Sequence, residues 1–175
     1  MKTPSGEVKF FQWPARKLEQ VWPMIKPYVK GLVERLAPKL DAEDFITNIV
    51  GGKWQLWLAW VPEDRQVIAL MITELEKYKN GEQACHMVIA TGDHREKWQD
   101  QALQEIEKWA LSEGCSYLSG WCRPGWESVT RQHGFKRTHV MIEKKLVQKV
   151  VKPAAKEEQN GRREVTQQPD SHTEV

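Results

Sequence analysis

The stretch Ala84–Cys122 constrains this chain more than any other. An apolar run, ACHMVIAT, meets a polar turn. Apolar residues then recur at Trp98, Ala102, Leu103, Ile106, Trp109 and Ala110, and a second apolar run, YLSGWC, follows. The middle spacing is that of an amphipathic helix with one buried stripe. Glu113-Gly114 ends that helix, because glycine accepts the left-handed conformation that closes helices. A strand, a crossing helix and a second strand in one sheet are parallel neighbours.

The runs before it add antiparallel strands. Trp54–Val61 (WQLWLAWV) and Val67–Thr73 (VIALMIT) are joined by the turn PEDRQ. Both are nearly continuous in apolar residues, so both faces of the sheet are expected to be covered. The charged hairpin ELEKYKNGEQ carries Asn80-Gly81, a strong turn dipeptide, and leads into Ala84–Thr91. Phe10–Trp13 reads as a short first strand. Pro14 to Leu40 reads as helical, with Pro23 and Pro27 breaking it into two short helices. Asp41 is placed to N-cap DAEDFITNIV, with Asp44 echoing a capping box and Gly51-Gly52 closing the helix. After Cys122, RPGWESVTRQHGF reads as a loop and short helix closed by Gly134, and RTHVMIEKKLV as a final strand. The expected fold class is α/β (α+β): a mixed, mostly antiparallel sheet of about six strands with helices on both faces.

From Val150 onward there is no aromatic residue and no Leu, Ile or Met. Such a segment buries too little surface to offset its ordering entropy. Residues 1–149 are therefore expected to form one domain, and residues 150–175 a disordered tail. The net charge of +2 is too small to argue for nucleic acid by bulk electrostatics. There is no bilayer-length apolar run and no signal-peptide h-region at the N-terminus. The three cysteines include no CxxC pair. They read as reduced thiols in a cytoplasmic protein, with Cys85 and Cys122 on buried strands and no metal site.

The order of elements from Phe10 to about Leu146 resembles that of the GNAT superfamily of N-acetyltransferases, most closely over Ala84–Phe135. In that family the fourth strand runs into a Q/R-x-x-G-x-G/A turn. Its amides and the following helix start bind the pyrophosphate of acetyl-CoA. Helix-start amides carry partial positive charge, and glycines admit the diphosphate to bare backbone. The resemblance implies acetyl-CoA contacts at Ile89, Ala90, Thr91, Arg95, Lys97, Trp98, Gln99 and Asp100. Arg95 fits the first motif position, but Trp98 and Asp100 stand where the glycines belong, so the motif is degenerate. An indole there crowds the ligand unless it turns into the core. A carboxylate there satisfies the helix dipole by occupying the anion's place. Replacing both residues with glycine is expected to improve CoA affinity.

The family's last short helix ends Y-x-x-x-G-F, whose Tyr protonates the departing thiolate. Here Thr130 holds that position, and a Thr hydroxyl is a poor acid. His86 on the fourth strand and Glu74 at the end of the third are the candidates for a base toward an amine acceptor. Cys85 and His86 are strand neighbours, so they point to opposite faces and do not pair as nucleophile and base. Of nine tryptophans, Trp54 and Trp60 share one strand face and Trp57 lies on the other. An exposed part of this set would mark a protein partner. Two functions follow. One is acyl transfer from acyl-CoA to an amine. The other is a non-catalytic GNAT-fold binding or assembly module, resembling degenerate members found among bacteriophage virion and assembly proteins.

Overall fold

The computed structural model describes residues 4–36, 40–122 and 124–139. The chain divides into a compact unit, Met1–Arg137, and a second unit, Thr138–Val175. The strands and helices that follow belong to the first. Five strands form one sheet in the order β1-β2-β3-β4-β5. They are β1 (Lys9–Trp13), β2 (Trp54–Val61), β3 (Gln66–Lys77), β4 (Gln83–Gly92) and β5 (Tyr117–Gly120). The first four pair antiparallel and β5 joins β4 in parallel. Of the expected last strand, Arg137–Val147, only Arg137–His139 are described, and they are not in a strand. The segment 150–175 lies outside the described residues.

Helices cover both faces. On one face lie α1 (Leu18–Leu36) and α2 (Ala42–Val50), and on the other α3 (Gln99–Ser112). The short helix α4 is Pro124–Arg131. Trp54, Leu56 and Leu58 of β2 pack with α1 and α2, whereas Trp57 and Ala59 pack toward α3. Trp57 stacks on Phe10 at 5.9 Å, meets Trp109 edge-on at 5.3 Å and donates its indole N–H to Thr73 Oγ1 at 2.9 Å. Most of the tryptophans described therefore serve the core.

One expectation fails. α1 runs unbroken through Pro23 and Pro27. Its buried residues, Leu18, Val21, Ile25, Val29 and Leu32, recur at spacings of three and four and make one continuous stripe. Both prolines are exposed, four residues apart on the opposite face. The carbonyls they leave without a partner, those of Glu19 and Pro23, lie on the water side of the helix. Packing of the stripe outweighs two missing bonds that water replaces.

α2 begins as its sequence suggests. Asp41 Oδ1 accepts the Asp44 N–H at 2.7 Å, and Asp44 Oδ2 accepts the Asp41 N–H at 3.3 Å. The capping box presents Phe45 edge-on to Trp54, with ring centroids 6.0 Å apart. Asp41→Ala is expected to cost about 1 kcal/mol, read as a lower urea midpoint at unchanged slope.

Cys85 is fully buried, and burial pushes its thiol up to about 12, with Cys115 nearby adding to the shift against a hydrogen bond from Thr73. Cys122 departs from expectation. It is exposed, because β5 ends at Gly120 and leaves it beyond the sheet. Among the described residues, no group of three His, Cys, Asp or Glu side chains is placed to hold a metal ion. Among the same residues, no helix is long and apolar enough to cross a membrane.

Candidate functional site

The site is made by two strands that part. β4 and β5 pair from Ala84↔Tyr117 to Met87↔Gly120, and the pairing stops there. On the other side of β4, the register passes from Thr73↔Met87 to Ile72↔Ile89, leaving Val88 as an extra residue. Such a bulge bends its strand and increases the local twist. It also resets the alternation of faces: Cys85 and Met87 pack toward α3, but Ile89 packs toward α1 and α2. Gly120 sits at the point of parting, where a Cβ would lie 3.1 Å from Met87 O and 3.2 Å from Met87 Cβ.

Beyond that point a cleft of about 390 Å³ opens between the strands. β4 lines it from Met87 to Gly92, and Gly120, Trp121 and Cys122 line the facing side. Met71, Trp98 and Leu103 close one flank, and Leu32 of α1 another. Trp126 and Thr130 of α4, with Phe135 after it, complete the wall. Its two basic residues among those described are Arg35 and Arg95. Arg35 Nη2 donates to Thr91 Oγ1 at 3.3 Å, and the Arg95 guanidinium lies 5.1 Å from the Trp126 ring centre. The cleft is therefore apolar where the strands part and cationic near the end of β4.

The turn after β4 is built as a joint. Gly92 has a φ of +153°, and a Cβ there would fall 2.3 Å from Ala69 Cβ and 2.6 Å from Ile68 O. Asp93 donates its N–H to Ile68 O at 2.8 Å, and its carbonyl accepts the Trp98 Nε1–H at 2.9 Å. Tyr28 of α1 donates its hydroxyl to Asp93 Oδ2 at 3.0 Å. Burial, then the hydrogen bond to this carboxylate and its charge, push the Tyr28 phenol well above its ordinary value. A short 3₁₀ turn, Arg95–Lys97, then leads into α3, whose N-cap Trp98 makes no side-chain cap bond.

Trp98 is only 2% exposed, with its ring 6.2 Å from that of Trp126. Its indole turns into the core and forms a wall of the cleft rather than a plug. Asp100 holds the first turn of α3 and pairs with His133 Nε2 at 3.0 Å. Lys97 turns away, donating its ammonium to Pro4 O at 2.8 Å. Gln99 Oε1 is buried with no hydrogen-bond partner among the described residues.

Of the residues singled out from the sequence, the cleft brings together Ile89, Ala90, Thr91, Arg95, Trp98 and Thr130. Lys97, Gln99, Asp100, Glu74 and His86 do not line it. The Thr130 hydroxyl shares its proton between its own helix carbonyls, Trp126 O at 3.1 Å and Glu127 O at 3.3 Å. Glu74 and His86 are cross-strand partners. The Glu74 carboxylate, however, accepts from Trp54 Nε1 at 3.0 Å and pairs with Lys53 Nζ at 3.6 Å. His86 Nδ1 lies 3.1 Å from Ser119 Oγ, and its ring meets that of Trp121 nearly edge-on at 6.2 Å. Arg35 carries no local sequence signal of membership. Only the packing of α1 across the sheet brings it in.

No family model matches the sequence, and no curated protein matches it. Solved structures do. A probable acetyltransferase superposes with a TM-score of 0.61 at 12% identity, covering 81% of this chain and 98% of that one. An aminoglycoside acetyltransferase from an uncultured soil metagenomic sample gives 0.59 at 7% identity, over 80% and 97%. A predicted acetyltransferase from Clostridium acetobutylicum, solved with acetyl-CoA, gives 0.57 at 13%, over 79% and 96%. The fold is that of the GNAT acetyltransferases.

Proposed function

We propose that this chain is an acyltransferase that moves an acyl group from a pantetheine thioester, such as acetyl-CoA, to an amine. The observation that carries the reading is the parting of β4 and β5 after Met87 and Gly120, which opens an apolar cleft ending at two arginines. The donor set fits such a ligand. Apolar walls suit the arm, the β4 strand end offers backbone groups near Ile89–Thr91, and Arg35 and Arg95 suit a phosphate. When bound, the thioester supplies an activated acyl group. The residues of the chain bind the arm, orient it along β4 and exclude water with Met71, Trp98, Leu103 and Phe135. His86 is the group proposed to take the acceptor's proton, with Ser119 fixing the ring and Trp121 covering it. Thr130 is not assigned the acid's role, because its proton is held by its own helix.

A second reading, a non-catalytic binding or assembly module such as a phage virion component, is favoured by two observations. Among the described residues, the cleft wall includes no carboxylate or histidine. Trp121 beside it is 62% exposed, as a contact surface would be. Calorimetry and thermal unfolding with acetyl-CoA and with shorter acetyl-pantetheine thioesters separate the two. A ligand at a hundred times its Kd adds about 2.7 kcal/mol of stability. Absence of any shift at millimolar concentration of every thioester would sink the transferase reading and leave the second.

A further inference from the structure

We propose that the donor is a phosphopantetheine thioester bearing a single phosphate group, as when the arm is mounted on a carrier partner, rather than free acyl-CoA. The inference rests on the cleft being the donor site. It follows from counting the charges the cleft mouth can satisfy. A CoA molecule brings a diphosphate and a further phosphomonoester. A carrier-mounted arm brings one phosphodiester.

From Met87 to Thr91 the cleft runs about 13 Å along an extended strand, enough for most of a pantetheine arm. Arg35 reaches Thr91 Oγ1, and Arg95, its guanidinium over Trp126, lines the same cleft. Two guanidinium groups suit one phosphate, each offering paired N–H donors. The next positive charge along the turn, Lys97, is committed to Pro4 O. Beyond it the first turn of α3 presents the Asp100 carboxylate, its side chain 64% exposed. A helix start of this kind normally attracts an anion, but here it already carries one. Gly92, the nearest glycine, has the side where a Cβ would stand closed by Ala69 and Ile68. A second and third phosphate would therefore approach the Asp100 carboxylate.

The test is a binding series on the full chain, read by calorimetry at fixed salt. The probes are S-acetyl-pantetheine, S-acetyl-4′-phosphopantetheine and acetyl-CoA. The phosphopantetheine thioester is expected to bind about tenfold tighter than the unphosphorylated one, and at least as tightly as acetyl-CoA. Arg35→Ala and Arg95→Ala are each expected to remove most of that tenfold gain while leaving S-acetyl-pantetheine binding within about twofold, which checks that the variants remain folded. Asp100→Asn is expected to improve acetyl-CoA several-fold and the shorter probes hardly at all. Acetyl-CoA binding more tightly than the phosphopantetheine thioester overturns this inference and leaves the cleft reading standing. Failure of all three to bind overturns both.

Discussion

Gly92→Ala is expected to destabilise the protein by about 3 kcal/mol or more, one of the largest effects of any single-methyl addition to this chain. Two costs add. The residue's φ of +153° is a conformation that side chains rarely adopt, and the new Cβ would lie 2.3 Å from Ala69 Cβ and 2.5 Å from Ala69 Cα. Neither neighbour is the far end of a flexible chain, so β4 must move off β3. Movement there strains the Asp93 N–H bond to Ile68 O, and through Asp93 the contacts to Tyr28 and Trp98. A loss of roughly 10 °C in Tm is expected for a domain of this size. Gly31→Ala is the control. A Cβ there meets nothing within 4 Å, and a helix-interior alanine is worth up to about 1 kcal/mol over glycine. A Gly92→Ala loss under about 1 kcal/mol would mean that the turn after β4 is not fastened to β3 as described.

The role of Gly92 shows where sequence reading reached and where it stopped. Gly92 lies between a buried strand and a helix start, ahead of the motif positions held by Trp98 and Asp100, and its local sequence assigns it no role. What decides its use is Ala69, twenty-three positions away and brought alongside by the β3–β4 register. The local signals were read well because their physics is local. The Asp41–Asp44 box, the glycines closing α2 and α3, and the two faces of β2 depend on residues within a few positions of one another. Pro23 and Pro27 misled for the complementary reason. Their cost is local, but the gain that outweighs it is the burial of Val21, Ile25 and Val29 against a sheet formed by later residues. The cleft was half legible. Ile89–Thr91 and Arg95, which line it, are residues the family resemblance implies, whereas Arg35 enters from α1 by tertiary packing alone.

Replacing Trp98 by alanine decides what the turn residue does. As a core residue, 2% exposed, its truncation is expected to cost about 4 kcal/mol, from lost burial and an unfilled cavity. It also removes the donor bonded to Asp93 O, so the joint after β4 loosens as well. The glycine replacement at Trp98 that the sequence motif invites would cost at least as much, since glycine adds backbone freedom to the same cavity. Opening the turn that way would unfold the wall it was meant to clear. Asp100→Ala separates the two residues of the motif. Its carboxylate is mostly exposed, and an exposed pair with His133 contributes between about 0 and 1 kcal/mol. Urea unfolding of both variants is therefore expected to show a large loss for Trp98→Ala and a small one for Asp100→Ala. If Trp98→Ala cost less than about 1.5 kcal/mol, the indole would have to lie in the cleft mouth, as a plug against any pantetheine ligand. A full loss places the indole in the core, in keeping with its 2% exposure.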